Sequence, residues 1–173
     1  MRSLTVVAVL SAVSSAVLSA QGPPPETARL SYFEGTWELA GEDQKGPMGS
    51  GGKTSGTEKC EWFEGHFAMV CRADVMTPGG PGKSMSTYTY NTEKKKYSFD
   101  GIDSYGADIS ATAVIIGKEW HWTSFPMSMP DGSYLIRYTV TTVSDSEYTY
   151  KWEWSRNKGA WHAGGAGGGK KKS

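Results

Sequence analysis

Large aromatic residues alternate with polar ones along much of this chain, and the clearest case is Glu147–Ser155. Tyr148, Tyr150, Trp152 and Trp154 occupy every second position there, so they would share one face of a β-strand. Similar segments recur along the chain between short turns rich in Gly and Pro, and none of the connections has room for a crossover helix. Neighbouring strands should therefore pair antiparallel.

A strand face with four large rings has to be buried against something. Closing about ten strands into an up-and-down barrel buries such faces and also removes free sheet edges. A sandwich of two sheets is the alternative architecture. The sequence predicts an all-β protein with a single antiparallel up-and-down β-barrel of about ten strands, preceded by a short helical turn near Thr27–Phe33.

Both cysteines lie in one predicted hairpin, Thr57–Arg72. A turn near Gly65 brings Cys60 roughly opposite Cys71, within the Cα separation that a disulfide tolerates. We therefore predict a Cys60–Cys71 disulfide, which fixes the register of the two strands. A bridge inside one hairpin also argues against an immunoglobulin-type bond between two sheets.

The ends of the chain differ in composition from the centre. Residues 1–20 resemble a secretory signal peptide, which predicts a secreted or periplasmic protein with no membrane attachment after its removal; an uncleaved anchor is the alternative. Export would permit the disulfide. Residues 21–27 are predicted to be a mobile Pro-rich linker, residues 28–162 the barrel domain, and residues 163–173 a disordered tail of Gly and Lys.

Charge and motifs limit the function classes. The chain has 18 basic and 18 acidic residues without a concentrated basic surface, so we expect no nucleic-acid partner, and we expect a monomer. The spacing of Cys60, His66 and Cys71 matches no zinc pattern, so no metal is predicted. Haem on His121 or His162 is an alternative, but His121 alternates away from its tryptophan neighbours, and no cofactor is predicted.

Catalytic motifs are also lacking, since neither a Gly-x-Ser-x-Gly elbow nor a His-Glu-x-x-His motif occurs. Asp100 and Asp103 would lie on opposite strand faces unless Gly101 forms a bulge. An enzyme that uses Asp100, Asp103 and Arg137 at the barrel mouth is the second hypothesis. A structural or interaction protein with a side-chain-filled barrel is the third.

The leading hypothesis comes from the inward aromatic side chains. A barrel of this size encloses either a packed core or a small cavity, and buried tyrosine and tryptophan need hydrogen-bond partners. We therefore expect a small hydrophobic or aromatic ligand in the barrel. The candidate lining residues are Trp37, Trp62, Phe67, Met69, Tyr88, Tyr90, Trp120, Trp122, Tyr148, Tyr150, Trp152 and Trp154.

Several stretches in order resemble a family of secreted proteins known as domain of unknown function 1579. They are LSYFEGTW (Leu30–Trp37), TEKCEWFEGHFAMVCR (Thr57–Arg72), YSFDGIDSYG (Tyr97–Gly106), KEWHWTS (Lys118–Ser124) and YTYKWEWS (Tyr148–Ser155). The resemblance implies a calycin-like barrel, the broad class of lipocalins and fatty-acid-binding proteins. Gly35-Thr36-Trp37 would be its Gly-x-Trp signature, with Trp37 packed across the closed end. It implies no activity.

The resemblance to fatty-acid-binding proteins does not extend to their carboxylate site. Those proteins hold a carboxylate with an interior Arg-x-Tyr arrangement. This chain has Arg137-Tyr138 without the spacer, and Arg137 shares its strand face with threonines. Carboxylate capture is therefore not expected here.

Overall fold

Alternation of buried and exposed side chains continues through eleven strands in the computed structural model, which describes residues 22–172. The predicted signal peptide lies outside the described residues. A 3₁₀ helix, η1, covers Pro25–Phe33, and a 3₁₀ turn, η2, covers Glu64–His66. The strands are β1 Gly35–Asp43, β2 Gly52–Trp62, β3 Ala68–Thr77, β4 Gly80–Asn91, β5 Lys96–Asp103, β6 Asp108–Ile116, β7 Glu119–Ser124, β8 Met127–Met129, β9 Gly132–Ser144, β10 Glu147–Arg156 and β11 Trp161–Lys171.

Ten of these strands form a closed antiparallel ring. Each strand from β1 to β7 pairs with its sequence neighbour, β7 pairs with β9, and β11 lies between β10 and β1. The short strand β8 pairs with β9 alone and lies outside the ring. The predicted up-and-down barrel of about ten strands with an N-terminal helical turn is confirmed, and the two-sheet alternative is wrong. Among the described residues, no helix combines the length and apolar character needed to cross a membrane.

The strand that closes the ring is the segment predicted to be disordered. That prediction is wrong, because residues 161–171 pair with β1 on one side and β10 on the other. Rings of β10 lie over the glycines: Tyr150 is opposite Gly167, and a Cβ at Gly167 would stand 2.7 Å from the Tyr150 ring carbon Cζ. Aromatic cover of this kind supplies the apolar contact that a glycine strand lacks. The barrel domain therefore extends to Lys171.

The N-terminal segment is also more ordered than predicted. Residues 21–27 were expected to form a mobile linker, but η1 begins at Pro25, where a proline at the first helical position costs no hydrogen bond. The Tyr97 hydroxyl donates to the Glu26 carbonyl at 2.9 Å, and Thr27 and Leu30 are fully buried. The linker prediction is therefore wrong from Pro25 onwards, because η1 docks against the barrel.

Helix η1 plugs one end of the barrel, which we call the closed end. Trp37, at the start of β1, has no exposed surface, and its indole N–H donates to the Phe33 carbonyl at 2.8 Å. The position expected of this Gly-x-Trp tryptophan is confirmed. Leu30 and Trp120 are buried in the same cluster. Side chains of the closed end therefore pack as a continuous core.

Candidate functional site

The barrel interior between η1 and the opposite, open end holds a cavity of about 400 Å³. Phe33, at the end of η1, forms its floor, where its ring contacts the rings of Tyr88, Trp120 and Tyr148. Most of the surrounding side chains are apolar or aromatic. The residues that line the cavity are Phe33, Leu39, Glu58, Ser84, Met85, Ser86, Tyr88, Phe99, Gly101, Ile102, Asp103, Ala107, Ile109, Ala111, Trp122, Ser124, Ile136, Tyr138, Val140, Tyr148 and Tyr150.

The cavity exists because one wall of the barrel carries small side chains. Ser86 on β4 pairs with Gly101 on β5, and Ala111 on β6 is the cross-strand neighbour of Phe99. Serine, glycine and alanine project little volume into the interior, and the Phe99 ring lies over Gly101. Strands β9 and β10 contribute Tyr138, Tyr148 and Tyr150 to the lining. The small residues therefore leave space between the rings that the other lining residues project.

Glu58 places a carboxyl group inside this apolar space. The residue lies on β2 opposite Trp37 on β1 and Ala73 on β3, and all three side chains point into the barrel. Among residues 22–172, no salt bridge or side-chain hydrogen bond satisfies its carboxylate. Removal from water penalises the charged form and raises the pKa of Glu58 from 4.5 to about 7.

Three tyrosines surround this carboxyl from other strands. Burial raises the pKa values of Tyr88, Tyr138 and Tyr148, and the nearby Glu58 carboxylate raises them further. Tyr138 also stacks on Tyr150, with ring centroids 5.0 Å apart. The phenols therefore keep their protons at neutral pH and offer neutral hydroxyl groups next to a single carboxyl.

The predicted disulfide lies next to the Glu58 side chain and joins strands β2 and β3. Cys60 and Cys71 are bonded across the β2–β3 pair with their Cα atoms 4.0 Å apart, which confirms the prediction. A carboxylate oxygen of Glu58 and both sulfur atoms lie within 4.8 Å of one another. Because the two sulfurs are bonded to each other, this cluster offers no thiolate to a metal. His66, the other residue considered as a metal ligand, is not part of this cluster, and its ring stacks on Trp62 with centroids 5.2 Å apart.

The structure brings only some of the predicted lining residues to the cavity. Tyr88, Trp122, Tyr148 and Tyr150 line it. Four others belong to the closed-end packing: Trp37, Met69 and Trp120 are buried there, and Tyr90 packs against Tyr97.

The remaining four predicted residues contact other groups. Trp62 packs against the core and His66, the Trp152 indole donates to Asp43 at 2.9 Å, and Trp154 stacks on His162. Phe67 is 49% exposed, so its predicted inward position is wrong. It belongs to the turn before β3, which begins at Ala68, and the strand alternation does not extend back to it.

The polar residues of the enzyme hypothesis are not brought together. Register between β4 and β5 is continuous through Gly101, so no bulge turns Asp100 inward, and Asp100 accepts a hydrogen bond from Ser110 at 2.5 Å. Asp103 lies at the cavity mouth, where it accepts hydrogen bonds from two backbone N–H groups of the β5–β6 turn. Arg137 forms a two-point ion pair with Glu153, at 2.6 and 2.7 Å.

Neither histidine considered for haem lines the cavity. His121 alternates away from Trp120 and Trp122, and its Nε2 lies 3.0 Å from the Glu119 carboxylate. The His162 ring stacks on Trp154 with centroids 4.5 Å apart. The two candidate axial ligands are therefore outside the cavity.

Comparison with known proteins agrees with the resemblance in the sequence. The model of a family described as "Protein of unknown function (DUF1579)" matches residues 22–164. The chain belongs to this family. No curated protein matches the sequence significantly.

A solved structure shares the fold of this member of the family. The crystal structure of Rv2717c from M. tuberculosis superposes with a TM-score of 0.61 at 10% identity, covering 87% of this chain and 99% of that one. A redesigned β-barrel, mFAP0, bound to DFHBI, gives a TM-score of 0.44 at 11% identity, with 81% and 99% covered. At 10% identity the likeness to Rv2717c concerns the barrel fold alone.

Sequence reasoning missed several lining residues of this family member. Glu58 stands two positions before Cys60, so the alternation that turned Cys60 inward also turns Glu58 inward. Tyr138 lies in β9, where alternation along the strand gives the same signal for an inward side chain. Phe33 carried no such signal, because its place on the cavity floor depends on how η1 docks.

Proposed function

We propose that this protein binds a small hydrophobic or aromatic molecule in the cavity of its barrel. The observation that carries the proposal is an apolar cavity of about 400 Å³ into which the partly buried carboxyl of Glu58 and several tyrosines project. Ligand sites in proteins are typically about 300–1,000 Å³, mostly apolar, with a few polar groups that orient the ligand. The cavity matches that description in size and in chemistry.

Packing supports the same proposal. Protein interiors are normally close-packed, and unfilled apolar volume forfeits contacts between side chains. The closed end of this barrel reaches zero exposure at Leu30 and Trp37, so the fold is capable of tight packing. A bound apolar molecule would add contacts to Phe99, Trp122 and Val140, which line the cavity.

Binding of 2-naphthylmethanol, a neutral aromatic probe, tests the proposal. We expect saturable quenching of tryptophan fluorescence, together with a one-to-one complex in native mass spectrometry. Ala111→Phe should abolish both, because Ala111 lines the cavity, whereas Val114→Phe on the outer face of the same strand should leave them unchanged. Binding that persists in a folded Ala111→Phe variant, or no binding of apolar aromatic probes to the native protein, would contradict the proposal.

We also propose that the protein acts outside the cytoplasm as a monomer. The Cys60–Cys71 disulfide is compatible with an oxidising compartment, and the predicted leader would direct export. N-terminal sequencing of the protein from its native host should find Gln21 as the first residue. Sedimentation at equilibrium should give the mass of one chain.

A further inference from the structure

Ionisable side chains in the cavity wall are all acidic. Among the described lining residues, Glu58 and Asp103 are the two carboxylates, and the lining contains no lysine, arginine or histidine. Asp103 lies at the mouth and accepts hydrogen bonds from the N–H groups of Tyr105 and Ala107. Glu58 lies deeper in the barrel, where no cationic side chain of residues 22–172 pairs with it.

Buried carboxylates are normally paired, because an unpaired charge is costly in an apolar environment. The groups around Glu58 would favour a cation as its partner. Tyr88, Tyr138, Tyr148 and Trp122 present aromatic rings to the same space, and aromatic faces attract ammonium groups. A carboxylate ligand would meet the Glu58 charge without any cation to offset it.

We infer, as an extension of the proposed binding function, that the cavity selects a ligand with a basic nitrogen on an apolar body. Its ammonium group would pair with the Glu58 carboxylate beside Tyr88, Tyr138 and Tyr148. Its apolar part would extend past Phe99 and Trp122 toward the open end.

The pairing gives the binding a pH dependence. Glu58 has to be ionised to pair with an ammonium group, and because the pKa of Glu58 is raised to about 7, affinity for a cationic ligand should increase as pH rises from 5 to 8. Groups facing Glu58 do not titrate in that window: β1 offers Trp37, β3 offers Ala73 and bonded Cys71, and the pKa values of the facing tyrosines are raised.

Three probes with the same aromatic body test the inference: 2-naphthylmethylamine, 2-naphthylmethanol and 2-naphthoate. At pH 8 we expect the amine to bind roughly 10- to 100-fold more tightly than the alcohol, as a charge-assisted hydrogen bond allows, and the carboxylate to bind weakest. The amine should lose affinity on acidification to pH 5, whereas the alcohol should not.

Two variants test whether the preference for the amine comes from the Glu58 carboxyl. Glu58→Gln keeps the shape of the side chain and should remove the advantage of the amine over the alcohol, since only the charge is lost. Glu61→Gln is the matched control, because Glu61 lies on the outer face of the same strand and pairs with Lys59 at 2.6 Å. It should bind all three probes like the native protein.

The outcomes separate the two proposals. Equal binding of amine and alcohol, or tightest binding of the carboxylate, would overturn the inference and leave the proposed binding function intact. Failure of all three probes to bind would overturn both. If Glu58→Gln does not fold, the pH profile of the native protein decides, and an amine affinity that does not rise between pH 5 and pH 8 overturns the inference.

Discussion

The two ends of this barrel are built from the same kinds of side chain but are filled differently. At the closed end, Trp37 and Trp120 pack in one cluster with Leu30 of η1 and leave almost no exposed surface. Toward the open end, tyrosine, phenylalanine and tryptophan rings line the cavity together with the small residues Ser86 and Gly101. The aromatic composition is therefore not what distinguishes core from cavity.

The closed end differs from the cavity because η1 fills it, whereas small side chains line part of the cavity. Helix η1 inserts Leu30 and Phe33 at one end, so the closed end acquires volume that the strands alone do not provide. Toward the other end, Ser86, Gly101 and Ala111 contribute little side-chain volume. Glu58 lies at the boundary, opposite Trp37 but facing the cavity. We expect stability to depend mainly on the closed end and binding mainly on the open one.

The largest expected effect is at the closed end. Trp37→Ala should lower the free energy of unfolding by about 3–5 kcal/mol, because it leaves a large void in a fully packed region. Trp122→Ala is the matched control in the cavity wall and should cost less, since its ring already borders empty space. Urea denaturation of both variants measures the difference, and equal losses would contradict the distinction between the two ends.

The second largest expected effect is a gain in stability when Glu58, between the closed end and the cavity, is replaced by glutamine. Native Glu58 holds its proton more tightly than unfolded Glu58, so stability of the native protein should fall as pH rises from 4.5 to about 7. Glu58→Gln removes that loss and should stabilise the protein by about 3 kcal/mol at pH 8 but hardly at pH 4. Denaturation at the two pH values measures it, and a gain independent of pH would show that burial of charge is not its cause.

The smallest effect concerns the disulfide. Replacing Cys60 and Cys71 together by serine should lower the melting temperature, with a loss of up to about 3 kcal/mol for a bridge spanning 11 residues. Probe binding should persist, since neither sulfur lines the cavity. Calorimetry and fluorescence titration of the double variant measure the two properties. Loss of binding in a folded variant would show that the cavity also depends on the bridge.

Much of the fold could be predicted because alternation is a local property of the strands. The segment around Tyr148–Trp154 indicated a strand with one apolar face, and the turn near Gly65 placed Cys60 opposite Cys71. Alternation became misleading at Phe67, where the chain had already entered the turn. The pattern marks which faces are buried, but it does not show where a strand begins.

Much less of the candidate site could be predicted. Glu58 is not among the predicted lining residues, although its position two residues before Cys60 indicates an inward side chain, because charged residues are rarely buried without a partner. The same alternation that placed Tyr148 and Tyr150 in the cavity also suggested Trp152 and Trp154, which are held by Asp43 and His162 instead. Depth along the barrel separates these residues, and depth depends on strand register and on the docking of η1.

The sequence by itself determined an antiparallel barrel of about ten strands, the disulfide and the membership of the family, because strand period, turn residues and motif order are all local. Tertiary structure alone decided that a glycine-rich tail is the closing strand, since Gly167 gains its apolar contact from Tyr150. It also decided which end is open. A cavity is the volume that side chains from many strands leave unfilled, and no single segment encodes it.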